Sequence, residues 1–471
     1  MRRNHFAVGF TFVVLLVASV AARPASVEPA RSTLIEGVPH IRQKSDFCGE
    51  ACVAMALRKL GYAADQEDVF DASGLDPLLA RGVHTRELAD AVERLGFEPS
   101  PVWHAVAPAR AERELAALLE AMYADLARGV PSIVCTRFDA MPRASEHFRL
   151  VLGFDRARDE IIFHDPALAD GAYRRMQRAL FLRLWPLKYR RDEWTVIRIP
   201  LRPAHIAIPP RAVPVTAAAH AQHLMRAKAG IPDRFRTRIV GPFLLIGDQG
   251  EKDIDHHAGV IDWTITRLAG DFGMVAPSEI IDVWLMGSDE SYVAQSERLF
   301  QERPSTPYGF FLPEKRTLLM NIETGGGTLV HEVVHPFIRA SFPSCPAWFN
   351  EGLASLYERV VERDGHLWGL PNWRLAGLKR AIRMGQLPAF GRMTADSDKN
   401  FYRSPTGYAQ ARYLCLYLQD KGLLRRFYSE YRASHAADPT GMQTLARLLD
   451  IRDMTRFQVT FETWALALRE P

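Results

Sequence analysis

The strongest constraint on this chain is one short stretch, Gly327-Thr328-Leu329-Val330-His331-Glu332-Val333-Val334-His335. On a helix, histidines four apart project from one face, a turn apart. Leu329, Val330, Val333 and Val334 make the rest of that helix apolar, so both imidazoles line a pocket or lie buried. Two neutral imidazoles so placed can hold Zn2+, with Glu332 beside them to take a proton from water. A third ligand is needed. Glu351 is the candidate, because Pro346-Ala347-Trp348-Phe349-Asn350-Glu351-Gly352-Leu353-Ala354 is the next apolar-periodic segment, one short connection away. The plainer alternative is a helix carrying two hydrogen-bonded core histidines.

His331-Glu332-x-x-His335 together with Trp348-x-Asn350-Glu351-Gly352-x-Ala354 resembles the gluzincin metallopeptidases, which have thermolysin-like catalytic domains. The resemblance implies zinc held by His331, His335 and Glu351, with Glu332 as general base. Upstream it extends to the alternating segments Tyr308 to Phe311 and Arg316 to Asn321, similar to the edge hairpin before the zinc helix. Downstream it extends to Tyr408-Ala409-Gln410-Ala411, where the family keeps a tyrosine that steadies the oxyanion of the tetrahedral intermediate. Two features depart from the pattern. Only fifteen residues separate His335 from Glu351, which points to a smaller subfamily. Pro336 follows the second histidine, lacks an N–H, and is expected to kink or end the helix there.

At 471 residues the chain has room for two or three domains, each burying a core. A net charge of +4 with no long basic block does not suggest nucleic-acid binding. Met1-Arg2-Arg3 followed by the apolar run Phe6 to Ala22 reads as a secretory signal, residues 1–22, cleaved near Ala21 or Ala22. The expectation is an exported protein, periplasmic or extracellular, with a signal-anchored membrane form as the alternative. Five cysteines, Cys48, Cys52, Cys135, Cys345 and Cys415, are odd in number and form no disulfide framework.

In the amino-terminal part, a helical pattern starts at Cys48 and stops at Gly61. A thiol at a helix N-terminus is expected to have a lowered pKa. Gln43, just upstream, could donate its amide to an oxyanion formed there. Helices are expected from Thr85 to Leu95 and from Ala109 to Ala127, then a strand ending at Cys135. His147 to Phe154 and Glu160 to Pro166 read as a hairpin turning near Ala157, which leaves Asp165 diagonal to His147 on one sheet face. Asp165 can then orient the His147 ring, completing a thiol, imidazole and carboxylate set.

Gln43-x4-Cys48-Gly49 with Cys52, the loop Gly82-Val83-His84-Thr85, His147 at a strand start and Asp165-Pro166 resemble the papain-like peptidase family C39 and its C39-like relatives. The resemblance implies Cys48 as nucleophile, His147 as base, Asp165 as its orienter and Gln43 as oxyanion donor. Gln43 stands five residues before Cys48, one residue off the commoner spacing. Known members fused to exporters trim leader peptides, but no transporter-like segment accompanies this domain.

Pro200, Pro203, Pro209, Pro210 and Pro214 mark a semi-rigid linker. The expected architecture is α+β in two domains: a papain-like domain over 33–200, a linker over 201–214, and a gluzincin domain over 215–471. The second domain is expected to become helical after Glu351 and to remain so to the end. Asp253, Asp255, His256 and His257 read as helix-start acids and exposed histidines, not a second metal cluster. The expected function is an exported zinc peptidase with a second, C39-like site that cleaves or binds peptide. The alternative is a non-enzymatic envelope binding protein with two degenerate sites. The expected partner is a peptide or protein substrate, and nothing here speaks to oligomeric state.

Overall fold

A computed structural model describes residues 32–469, except 191, 212, 305, 396 and 397. The amino-terminal apolar run and its cleavage site lie outside the described residues. Among those described, no helix is long and apolar enough to cross a membrane. The chain is α+β.

The first sheet is antiparallel. Its main path runs Trp103–Val106, Glu193–Pro200, Ser132–Arg137, Glu146–Asp155, Glu160–His164, Arg174–Gln177. Alternation sends successive side chains of Glu146–Asp155 to opposite faces. Phe148, Leu150 and Leu152 pack with Cys135 against the helix Cys48–Lys59. Val151 and Val134 face the other way, toward Leu119 and Met122 of the helix Ala111–Ala127. One sheet thus separates two cores, and its first strand residues reach the end of the Cys48 helix.

The second sheet runs Gly309–Leu312, Thr317–Asn321, Ile281–Met286, Phe243–Gly247, Arg236–Val240. Its three central strands are parallel and both edge strands antiparallel. On one face, Leu245, Val283 and Leu318 pack against Ile261 and Leu268 of the helix Glu251–Phe272 and Val333 and Phe337 of the helix Gly327–Ser341. On the other, Ile246 and Trp284 pack with Tyr292 of the helix Asp289–Phe300. The helix Ala347–Leu356 is pinned by Trp348 and Phe349, whose ring centres lie 6.1 and 5.2 Å from that of Phe427. Burial of a ring such as Phe349 stabilises the fold by about 1.5–3 kcal/mol. That burial fixes the helix that carries Glu351.

Between the sheets, residues 201–216 form no helix or named strand, and the helix Ala217–Ala227 follows. Ala218 and Ala221 on that helix belong to the core around the Cys48 helix, while Leu224 joins the core of the second sheet.

Of the expected kink or end at Pro336, the end does not occur, and the expectation of an all-helical chain after Glu351 is corrected. The helix Gly327–Ser341 continues through Pro336. One N–H is missing there, but Phe337 and Ile338 are 2% and 1% exposed, and their burial holds the last turn in place. The chain after Glu351 is not all helix, because Val360–Arg363 and His366–Gly369 pair as a hairpin. Its turn residues Asp364 and Gly365 have φ of 51° and 78°, which a two-residue Asp-Gly turn between strands requires. That dipeptide, after Val360 and Val361, was the available signal.

Candidate active site

The helix Gly327–Ser341 presents His331 and His335 on one face, and the helix Ala347–Leu356 brings Glu351 against them. Among the described residues these three form the sole group whose ligating atoms converge, all within 4.8 Å of one another. Glu351 Oε2 lies 3.3 Å from His331 Nε2 and 3.9 Å from His335 Nε2. Ligands about 2.1 Å from a tetrahedral centre stand about 3.4 Å apart, so the donor set fits zinc. Glu351 Oε2 is buried and accepts no hydrogen bond from any described residue. A buried carboxylate oxygen without a donor is costly unless a cation faces it.

The far side of each ring faces a polar side chain. His335 Nδ1 lies 2.9 Å from Asn350 Oδ1, so that nitrogen carries the proton and Nε2 is left with its lone pair. His331 Nδ1 lies 3.3 Å from Glu358 Oε1, and Glu358 in turn receives Arg374 Nη2 at 2.7 Å and the Asn372 amide at 2.8 Å. Without a cation, burial pushes the His331 pKa down, but Glu351 and Glu358 outweigh it and raise it to about 10. Burial opposes ionisation of Glu358 too, yet His331 and Arg374 hold it at about 2. Sequence reasoning missed both outer partners. Asn350 was quoted only as part of the motif, and Glu358 lies beyond it.

Gly327 explains how Glu358 comes so near. A Cβ at Gly327 would meet the Glu358 carbonyl oxygen at 2.2 Å, so this helix start lies against the turn that carries Glu358. Glu332 lines the two cavities that meet at the metal-ligand cluster. Tyr408 lines both as well, with the Arg374 guanidinium 5.2 Å from its ring centre, and burial pushes its hydroxyl pKa up. The hydroxyl that reaches the ligand set is a different one: Tyr402 donates to Glu351 Oε1 at 3.1 Å. In the sequence Tyr402 stood among four tyrosines of one region with nothing to single it out.

In the amino-terminal part, Asp165 Oδ1 lies 2.8 Å from His147 Nε2, and both residues are buried. Cys48 is the first residue of its helix, beside the Phe148 backbone N–H, one residue from His147. No hydrogen bond joins the thiol to the His147 ring among the described residues. Gln43 donates its backbone N–H to the Pro166 carbonyl at 2.9 Å, and its side-chain Oε1 is buried without a partner among the described residues.

With this geometry in view, residues 35–191 match the Peptidase_C39 like family. This part of the chain is a C39-like peptidase domain. Its fold is α+β and papain-like. A solved structure similar to it is the peptidase domain of Streptococcus ComA, a bi-functional ABC transporter involved in a quorum-sensing pathway. That likeness has 18% identity, covers 35% of this chain and 99% of that one, and has a TM-score of 0.24. No curated protein matches.

Within the C39-like domain, one expectation is reversed. Burial pushes the Cys48 thiol up to about 11, the Phe148 N–H only partly offsets this, and the Glu50 and Asp46 carboxylates add to the rise. The helix N-terminus is present, but desolvation of the thiolate outweighs it. Glu50 is itself fully buried and raised to about 8 by burial, although the Val83 N–H donates to it at 2.8 Å. Asp165 has a second partner that sequence reading missed. Arg149 donates Nε to Asp165 Oδ2 at 2.9 Å. Two residues after His147 on the same strand, it shares the His147 face, which was the available signal. Asp165 is held at about 2: burial opposes its charge, and His147 and Arg149 override that. Cys48, Cys52, Cys135 and Cys415 are free thiols.

Proposed function

We propose that the chain is a peptidase that hydrolyses peptide bonds at the His331, His335 and Glu351 cluster, with the C39-like domain binding the peptide. The carrying observation is the convergence of two imidazole Nε2 atoms on one Glu351 oxygen, while Asn350 bonds His335 Nδ1 and Glu358 stands 3.3 Å from His331 Nδ1. His331, His335 and Glu351 would hold zinc, which when bound supplies Lewis-acid polarisation of the scissile carbonyl and acidifies water.

The chain's own residues do the rest. Glu332, facing both cavities, takes a proton from the attacking water as its oxygen bonds to the carbonyl carbon. It then delivers that proton to the departing amine nitrogen as the C–N bond breaks. Tyr408, which lines both cavities, would donate its hydroxyl to the developing oxyanion. Tyr402 fixes Glu351 by holding Oε1, which turns Oε2 toward the histidines. In the C39-like domain the raised Cys48 thiol favours peptide binding over cutting, since little thiolate exists near neutral pH.

The test is zinc content and hydrolysis of unstructured peptides by wild type, Glu351→Ala and Glu332→Gln. About one zinc per wild-type chain is expected, reduced in Glu351→Ala and kept in Glu332→Gln, with both variants inactive. Wild-type protein that takes up no zinc overturns the reading.

A further inference from the structure

The metal-ligand cluster lies where two cavities meet, and their linings differ. One, of about 640 Å3, contains the exposed aromatics Tyr308 and Trp373 with Arg359 and Arg374. The other, of about 590 Å3, is lined by Phe310 and Phe311 together with Arg339, Asn350, Tyr402 and Tyr408, and its lining is more polar than apolar.

The two cavities carry three carboxylates and three guanidiniums, Arg339, Arg359 and Arg374. The carboxylates are Glu332, Glu351 and Glu358. Glu351 is turned to the histidines and Tyr402, and Glu358 is bound by Arg374 through two contacts of 2.7 and 3.0 Å. Glu332 is the general base of the proposed reaction. Two exposed guanidiniums remain, Arg339 and Arg359, and neither pairs with a carboxylate among the described residues. Arg359 is also held in place, since its Nη1 donates to the Pro371 carbonyl at 3.0 Å. A positioned guanidinium lining a cavity is suited to a carboxylate on an extended chain.

We infer that the site selects anionic peptides, with a carboxylate-bearing residue in the Arg359 cavity. This rests on the hydrolytic reading above for its placement of the scissile bond between the two cavities. Net selection comes from charge at the rim of the cleft, so it acts on productive association and is weakened by salt.

The test uses zinc-loaded full-length protein and synthetic peptides with Glu, Gln or Lys at successive positions on either side of a central apolar pair. Hydrolysis is read as kcat/KM in wild type and Arg359→Gln. Binding of the same fluorescently labelled peptides is read by anisotropy in Glu332→Gln with and without Arg359→Gln. Glu peptides are expected to exceed Lys peptides by about fivefold at the favoured position, and Arg359→Gln to remove most of that preference with zinc content unchanged. Equal handling of Glu and Lys peptides by wild type, or a preference that survives Arg359→Gln, overturns the inference and leaves hydrolysis standing. Charge-selective binding with no cleavage of any peptide removes the hydrolytic reading and retains the anionic selection.

Discussion

At the scale of single residues, the site depends as much on what stands behind each ligand as on the ligands. A histidine whose Nδ1 is held by an amide or carboxylate has its ring plane and tautomer set before a cation arrives. Asn350 does this for His335, and Glu358 stands 3.3 Å from His331 Nδ1, in ion-pair range. Asn350→Ala and Glu358→Gln are each expected to weaken zinc affinity about 10–100-fold, measured by competition with a chromophoric chelator. Affinity equal to wild type in both variants would show that the rings are held by packing alone. The motif residues were legible from spacing, since His331 and His335 on a helix can only share a face. Glu358 and Tyr402 were not, because each reaches the cluster across a separate turn of chain that no local period links to it.

At the scale of elements, the decisive fact is how closely the helix Gly327–Ser341 approaches the turn at Glu358. Gly327 lies where a side chain has no room, with the Glu358 carbonyl oxygen 2.2 Å from any Cβ built there. A Gly327→Ala chain must move either the helix start or the turn, and the turn carries the Glu358 carboxylate. The expected result is a loss of stability of about 1–3 kcal/mol together with weaker zinc binding. Urea denaturation with zinc and with chelator separates the two effects, and an alanine variant with wild-type stability and affinity would refute the close-packing argument. The same scale explains the two element corrections. Pro336 removes one hydrogen bond, which the buried Phe337 and Ile338 outweigh. The hairpin at Asp364 and Gly365 was readable from the turn dipeptide, but its strands are four residues each and easily absorbed into a helical reading.

At the scale of the whole molecule, two sheets with separate cores are joined by a segment without regular structure and by the helix Ala217–Ala227, which packs into both cores. Metal bound only by folded protein adds stability by mass action. Chelation is therefore expected to lower the transition of the part containing His331 in calorimetry, and to leave the C39-like domain's transition in place. A single transition that shifts as one would show that the shared helix couples the two bodies.

The sequence alone determined the α+β class, the C39-like character of the amino-terminal domain and the residues to watch, because periodicity, motif spacing and turn chemistry are local properties of the chain. Tertiary structure decided the rest. Desolvation set the Cys48 thiol above its ordinary pKa despite a helix N-terminus that works the other way. Packing brought Arg149 to Asp165, Tyr402 to Glu351 and Glu358 to His331. Burial and pairing depend on which distant segments meet, and that is settled only when the cores close.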